Sequence, residues 1–413
     1  MAARERRERG NAHRQRNGDA GGCAVEGVFF FQAQPSDLDQ LLGTRFLTRP
    51  AAGCNTLNPV AEGKNLVGVD IGASSIKVVQ LRESRKRLEV VRWGYAPLPP
   101  QTIIDGHVMN SGAVTEAIAR VFADNKIQQR DVAIGVYGQS VIVRKITVPM
   151  MTPAELDEQI HWEAEQHIPF DIKLMSIDYE VLRRRPEAGQ MDLLLVAAKK
   201  DEISDYAGIV RSAKLKPVVV DINAFTIQNI FEHQYGLPPD GTIALLNVGA
   251  AVSSLNIVSK GVSAFTREIT NAGNSVTEEI RKALSCSFEQ AEAYKLGGGA
   301  TQIVPQEVTQ ILQGACQGLA GEIQRSLDFY LATSGEQEIG RIYISGGSAY
   351  LPQLTQAIER RARVPVQVFD PMVNLTVDAK FVDEQRMRTM SAQMVVALGL
   401  SLRCDKERRQ WSA

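Results

Sequence analysis

Two stretches of the chain echo one another. Leu66-Val-Gly-Val-Asp70-Ile-Gly72-Ala-Ser-Ser-Ile-Lys77 and Ile243-Ala-Leu-Leu-Asn247-Val-Gly249-Ala-Ala-Val-Ser-Ser254 share one plan. Each is an apolar strand that ends in Asp/Asn-x-Gly-Ala, turns through small residues and resumes as a second strand. Aligned, Asp70 stands opposite Asn247 and Gly72 opposite Gly249. A tight turn with free backbone N–H groups cradles phosphate, and a nearby carboxylate holds Mg2+. Two such turns facing one another across a cleft would grip a nucleotide triphosphate from both sides. Either hairpin alone reads equally well as part of an ordinary core. The pair, in register, favours the joint reading.

The surrounding sequence repeats as well. Strands are expected at 66–71, 76–83 and 88–96, then a helical stripe at Val114, Ile118, Val121 and Phe122, then a strand at 132–137. From 242 the order recurs, with strands near 242–248, 253–259 and 262–269, helical sequence, strand 341–345 and a helix from about Tyr350. The helical sequence comprises 273–284, 287–296 and a long helix from Pro305 to about Thr333. A duplicated β-β-β-α-β plan makes two α/β lobes flanking a cleft.

An insertion interrupts the first copy. Residues 141–148 read as a strand, and Thr152-Pro153-Ala-Glu155 is a capping box with Pro at the first helical position. That helix is expected to reach Pro169, with Trp162 packed beneath it. Strands 179–182 and 191–197 flank a turn at Pro186-Glu-Ala-Gly189, and helix 201–214 with strand 217–221 would complete the unit. Helix 223–235 then returns to the first lobe.

Composition narrows the class. A chain of 413 residues exceeds one ordinary core. With 44% hydrophobic and 23% charged residues it is globular, and a net charge of −1 gives no general attraction for nucleic acid or membrane. Cys23, Cys54, Cys286, Cys316 and Cys404 form no Cys-x-x-Cys pair, which points to reduced thiols in a cytosolic setting. No apolar run reaches the roughly 20 residues that span a bilayer. The first 63 residues, with Arg4, Arg6, Arg7, Arg9, Arg14 and Arg16 ahead of Gly-rich sequence, read as a poorly ordered extension. A basic arm is the alternative, weakened by Glu5 and Glu8.

A third glycine-rich element, Arg341-Ile-Tyr-Ile-Ser345-Gly346-Gly347-Ser348, ends a strand and opens a helix. Paired glycines let a backbone approach a planar ligand closely. Three such elements in this order resemble the actin/Hsp70/FtsA superfamily, and the resemblance is nearest to the PilM family of type IV pilus assembly. It rests on Val69-Asp-Ile-Gly-Ala-Ser-Ser-Ile-Lys77, Trp162-Glu-Ala-Glu-Gln-His-Ile-Pro-Phe-Asp171 and Asp192-Leu-Leu-Leu-Val-Ala-Ala-Lys-Lys200. Pro217-Val-Val-Val-Asp221-Ile222 and Ala397-Leu-Gly-Leu-Ser-Leu-Arg403 also fit, so that it spans 64–403.

The resemblance implies duplicated actin-like, RNase H-type lobes with an inserted subdomain of the 1C type. The first lobe (1A) would be 64–142 and 222–241, with helix 384–403 packed on it, and 1C would be 143–221. The second lobe would comprise 242–272 and 335–383 (2A) with the helical part 273–334 (2B). By the same resemblance, Asp70 and Asn247 would hold Mg2+ through water. Gly72, Ala73, Ser74, Ser75, Gly249 and Ala250 would meet the phosphates of ATP, with Lys77 either a charge partner or a plain strand-face lysine. Gly273, Asn274, Gly346, Gly347 and Ser348 would line the adenosine. Glu278 and Lys282 would join them or form a solvated pair.

By the same resemblance, ATP-hydrolysing relatives usually carry an acidic residue where this chain has Asn247, and an amide accepts no proton. Asp221 and Glu268 are carboxylates able to place a catalytic water, and the sequence singles out neither; the catalytic residue is unassigned. The implied function is an ATP-binding cytoplasmic scaffold at the inner face of the inner membrane, held there through partners. It would dock the N-terminal cytoplasmic peptide of the membrane protein PilN in a groove beside the inserted unit, and link the alignment complex to the pilus motor ATPases. A slow ATPase of the same fold is the alternative. A filament former of the FtsA kind would want an amphipathic helix beyond Arg403, where only ten residues follow. Homo-oligomerisation stays open.

Overall fold

The computed structural model describes residues 30–32, 64–84, 87–298 and 304–405. The first lobe comprises β1 (Phe30–Gln32), β2 (Val67–Ile71), β3 (Ser75–Ser84) and β4 (Arg87–Pro97), then a small hairpin of β5 (Ile103–Ile104) and β6 (His107–Val108). Helix α1 (Ser111–Asp124) and strand β7 (Asp131–Val136) follow. β3 runs antiparallel to β2 and β4, whereas β7 lies parallel to β2. All of β2 is buried, as a strand covered on both faces must be. Asn110 caps α1 by accepting from the Ala113 N–H, and Val114, Ile118, Val121 and Phe122 form its core stripe.

The inserted unit contains β8 (Ile142–Pro149), α2 (Pro153–Glu165), β9 (Met175–Arg185) and β10 (Gln190–Lys199), with sheet order β8-β10-β9. The Thr152–Glu155 capping box is formed. α2 stops at Glu165, short of Pro169, whose ring disfavours a helical residue before it. Its buried stripe is Leu156, Ile160 and Ala164, so Trp162 lies on the opposite side and is 73% exposed rather than packed.

This unit is smaller than 143–221. After α3 (Lys200–Ser212), strand β11 (Lys216–Ile222) pairs parallel with β7 in the first-lobe sheet. Ile203, Tyr206, Ala207 and Val210 of α3 enter the first-lobe core. The reason lies in β11 itself, whose Val218-Val-Val220 run is buried throughout and needs cover on both faces. Helix α4 (Asn223–Tyr235) completes the lobe.

The second lobe runs β12 (Thr242–Val248), β13 (Ser253–Ser259), β14 (Val262–Ile269), α5 (Gly273–Leu284), α6 (Phe288–Lys295), α7 (Gln306–Ser334), β15 (Arg341–Ser345), α8 (Pro352–Ala362) and β16 (Val366–Val368). The two sheets share one order, β4-β3-β2-β7-β11 against β14-β13-β12-β15-β16. β1 extends the first antiparallel to β11, and β17 (Thr376–Val377) joins its other end beside β4. The chain thus re-enters the first-lobe sheet at Thr376, earlier than the expected boundary at 383. Apart from 30–32, the expected poorly ordered extension 1–63 lies outside the described residues.

The expected helix 384–403 is two helices, α9 (Glu384–Met390) and α10 (Val395–Ser401), separated by a turn at Ser391–Gln393. α10 lies directly on β2 and α4. A Cβ on Gly68 would collide with the Ala397 carbonyl oxygen, and one on Gly399 with that of Thr226. The turn crosses to the second lobe, where the Gly346 N–H donates to the Ala392 oxygen at 2.7 Å. The lobes also meet at α4, since Asn256 Nδ2 on β13 donates to Gln228 Oε1 at 3.0 Å.

Candidate functional site

Each lobe ends its central strand in the same turn. The Gly72 N–H donates to the Ser75 oxygen at 3.1 Å, and the Gly249 N–H donates to the Val252 oxygen at 3.1 Å. The glycine N–H groups therefore close the turns instead of facing a ligand. The N–H groups of Ala73, Ser74, Ala250 and Ala251 carry no hydrogen bond among the described residues. These are the donors left for an anion. Both turns lie at the carboxyl end of a parallel strand pair, β2/β7 and β12/β15, where open α/β sheets bind their ligands.

At the first turn, Asp70 and Lys77 face each other across the β2–β3 hairpin, with Nζ donating to Oδ2 at 3.0 Å. Both are buried. A Cβ on Gly72 would stand 3.1 Å from Lys77 Nζ and 3.9 Å from Asp70 Oδ1, so the missing side chain leaves the ion pair uncovered. Asp70 Oδ1 has no hydrogen bond among the described residues. It suits a hydrated cation held through water.

At the second turn, Asn247 Oδ1 accepts from Ser345 Oγ at 3.2 Å. No group of three or more His, Cys, Asp or Glu residues able to hold a metal ion directly occurs among the described residues. The donor set fits Mg2+ brought in on phosphates and contacted through Asp70, not a cation bound by protein alone. Ser254 Oγ lies 2.7 and 2.8 Å from the two Glu268 carboxylate oxygens. Burial pushes the Glu268 carboxyl up to about 7, against the opposing hydrogen bond from Ser254.

The start of α5 seals this turn. The Gly273 N–H donates to the Gly249 oxygen at 3.0 Å and the Asn274 N–H to the Ala250 oxygen at 2.7 Å. A Cβ on Gly273 would lie 2.6 Å from Ser348 Oγ, so helix, turn and Gly-Gly element meet without room for a side chain. Gly346 takes φ +93°, and a Cβ there would collide with the Val248 carbonyl oxygen. Asn247, Gly249, Ala250, Gly273, Asn274, Gly346, Gly347 and Ser348 therefore form one wall.

Glu278 and Lys282 do not form a pair. Arg281 donates to both Glu278 oxygens at 2.6 and 2.7 Å, and Lys282 is exposed. A guanidinium one turn away matches the carboxylate fork better than an ammonium. Asp221 is not placed to hold a catalytic water either. It is fully buried on β11, held by Arg403 Nε at 2.8 Å and by Arg403 Nη2. Burial raises its carboxyl to about 6 despite the arginine.

Two groups at the site carry no sequence signal. Lys295, on α6, has its buried Nζ 3.2 Å from the Gly273 oxygen, 2.8 Å from Thr277 Oγ1 and 2.6 Å from Glu292 Oε2. It pins the first turn of α5. Ala392 accepts from the Gly346 N–H, and its own N–H donates to Tyr350 Oη at 3.1 Å. Both depend on contacts between separate elements.

The family model described as type IV pilus assembly protein PilM matches residues 68–405. The chain is similar to a solved structure described as "PilM-PilN type IV pilus biogenesis complex", with 26% identity over 82% of this chain and 98% of that one, and a TM-score of 0.74. It also shares its fold with the ethanolamine utilization protein EutJ from Carboxydothermus hydrogenoformans, at 14% identity, 84% and 92% coverage and a TM-score of 0.50. The fold is the actin-like one, with duplicated lobes. No helix among the described residues is long and apolar enough to cross a membrane. The matched span takes in both phosphate-type turns, the inserted unit and the Gly-Gly element, and the chain belongs to the PilM family of type IV pilus assembly proteins.

Proposed function

We propose that the chain is an ATP-holding scaffold of the pilus assembly machinery. One observation carries the nucleotide part of this reading. The two turns are closed by the same hydrogen bond, and each leaves two successive N–H groups uncommitted beside a glycine. In this reading Ala73 and Ser74 bind phosphate from the first lobe, and Ala250 and Ala251 from the second. Lys77 balances charge next to Asp70. Gly273, Asn274, Gly346, Gly347 and Ser348 take the adenosine. Mg2+, when bound with the phosphates, supplies further charge neutralisation beside Asp70.

The partner is the N-terminal cytoplasmic peptide of PilN, in keeping with the similar structure being a PilM-PilN complex. The inserted unit offers it apolar surface, with Trp162 and Leu174 both exposed. Docked through PilN, the protein would sit at the inner face of the inner membrane and link the alignment complex to the motor. Isothermal titration of the full chain with a PilN-type N-terminal peptide tests the docking. Saturable binding is expected, and none at high micromolar peptide would contradict it.

A slow ATPase is a second reading, favoured by Glu268. A carboxyl that titrates near 7 can act as a general base at neutral pH.

A further inference from the structure

Helix α2 presents an exposed aromatic ring in an acidic setting. Trp162 points away from the core, and Glu158 and Glu165 lie one turn to either side of it on the same exposed face. Glu155, Asp157 and Glu163 add to the charge, and α2 contains no lysine or arginine. Neither Glu158 nor Glu165 forms an ion pair among the described residues. Tryptophan is among the residue types most enriched at the energetic centres of protein interfaces.

A surface of complementary chemistry lies on the same chain. A pocket of about 690 Å3 opens beside the amino end of β2, where Lys64, Arg82, Arg92 and Lys126 stand against one lining carboxylate, Glu83. The half-exposed Phe381 ring forms a wall of it, with the Arg92 guanidinium 3.6 Å from the ring centroid. Arg82 is taken up by Glu89 and Asp378, at 2.6 and 3.4 Å. The side chains of Lys64, Arg92 and Lys126 have no carboxylate partner among the described residues. An aromatic wall rimmed by unpaired cations matches an indole set between carboxylates.

Lys64 precedes β2, whereas the inserted unit leaves the first lobe beyond the carboxyl end of β7, which runs parallel to β2. The two surfaces therefore belong to opposite ends of the first-lobe sheet, an arrangement suited to contact between copies. We propose that the Trp162 face of α2 docks in the Phe381 pocket of a second copy of this chain. The indole packs against Phe381, and Glu158 and Glu165 meet the cations of the rim. Two different surfaces are joined head to tail, so the contact does not close on itself as a two-fold dimer and can propagate. The glycine turn at the other end of β2 stays open to nucleotide. A PilN-type peptide that occupied Trp162 would release the contact.

Sedimentation of the full chain over a range of concentrations tests the proposal. The wild type should form dimers and larger species reversibly, more weakly in about 0.5 M than in about 0.05 M salt. Trp162→Ala and Arg92→Glu should each weaken association at least about tenfold. Each variant keeps one of the two surfaces intact, so their equimolar mixture should associate again and stop at a dimer. That recovery also shows that both variants are folded. A wild type that stays monomeric at high micromolar concentration, variants that associate like the wild type, or a mixture no better than either variant alone would overturn the proposal.

Discussion

Lys77 donates to Asp70 Oδ2 at 3.0 Å, directly across the β2–β3 hairpin that carries the first glycine turn. With side chains only 11% and 8% exposed, neither charge is well solvated without the other. The pair sits under Gly72, where no side chain shields it from a ligand. The same two residues therefore support the fold and face the site.

Removing one partner should show both roles. Asp70→Ala leaves an unbalanced buried ammonium and should cost about 3–5 kcal/mol in urea unfolding. Asp70→Asn combined with Lys77→Met should cost less than the two single changes added together. Asp70→Ala should also weaken Mg·ATP binding, and unchanged affinity would mean that the first turn is not a phosphate site.

Stability should depend on pH through Glu268. Its folded pKa of about 7 lies above the ordinary glutamate value of 4.5, so the native state binds the extra proton. The stabilisation is full below pH 4.5 and is lost as pH rises through 7, by up to ~3 kcal/mol. Glu268→Gln should flatten this fall. Unfolding curves at pH 5 and pH 8 check it, with the variant gaining on the wild type at the higher pH.

Gly346→Ala should damage fold and site together. Alanine at φ +93° is strained, and its Cβ would meet the Val248 oxygen and stand 2.9 Å from Asn247 Oδ1. A loss of at least ~1–3 kcal/mol is expected, with weakened nucleotide binding. Thermal melts with and without ATP read both effects.

Lys295→Met should loosen α5 where it meets the second turn. The Gly273 oxygen and the Thr277 hydroxyl would lose a buried ammonium donor. Amide hydrogen exchange should quicken at 273–277 more than in β12, and equal protection in both variants would show that Lys295 is dispensable there.

Much of this fold can be read along the chain, because its strongest signals are local. Asp70-x-Gly72 and Asn247-x-Gly249 share a spacing, and both turns close identically. The Thr152 and Ser287 capping boxes mark helix starts within four residues. What escapes such a reading is set by distance. Arg403 reaches Asp221 across 182 positions, and β17 finds β4 only after the second lobe is complete. Trp162 looks like core by residue type, but its phase against Leu156, Ile160 and Ala164 turns it outward. Lys295 looks like a surface charge until α5 and α6 are packed together.

Whether the cleft holds ATP without consuming it is tested most directly by the fate of ATP bound to the full chain. Mg2+ is present and phosphate release is followed over time. Recovery of the nucleotide intact, with release far below about 1 s⁻¹, is the predicted result. Steady release above that rate would contradict the ATP-holding role.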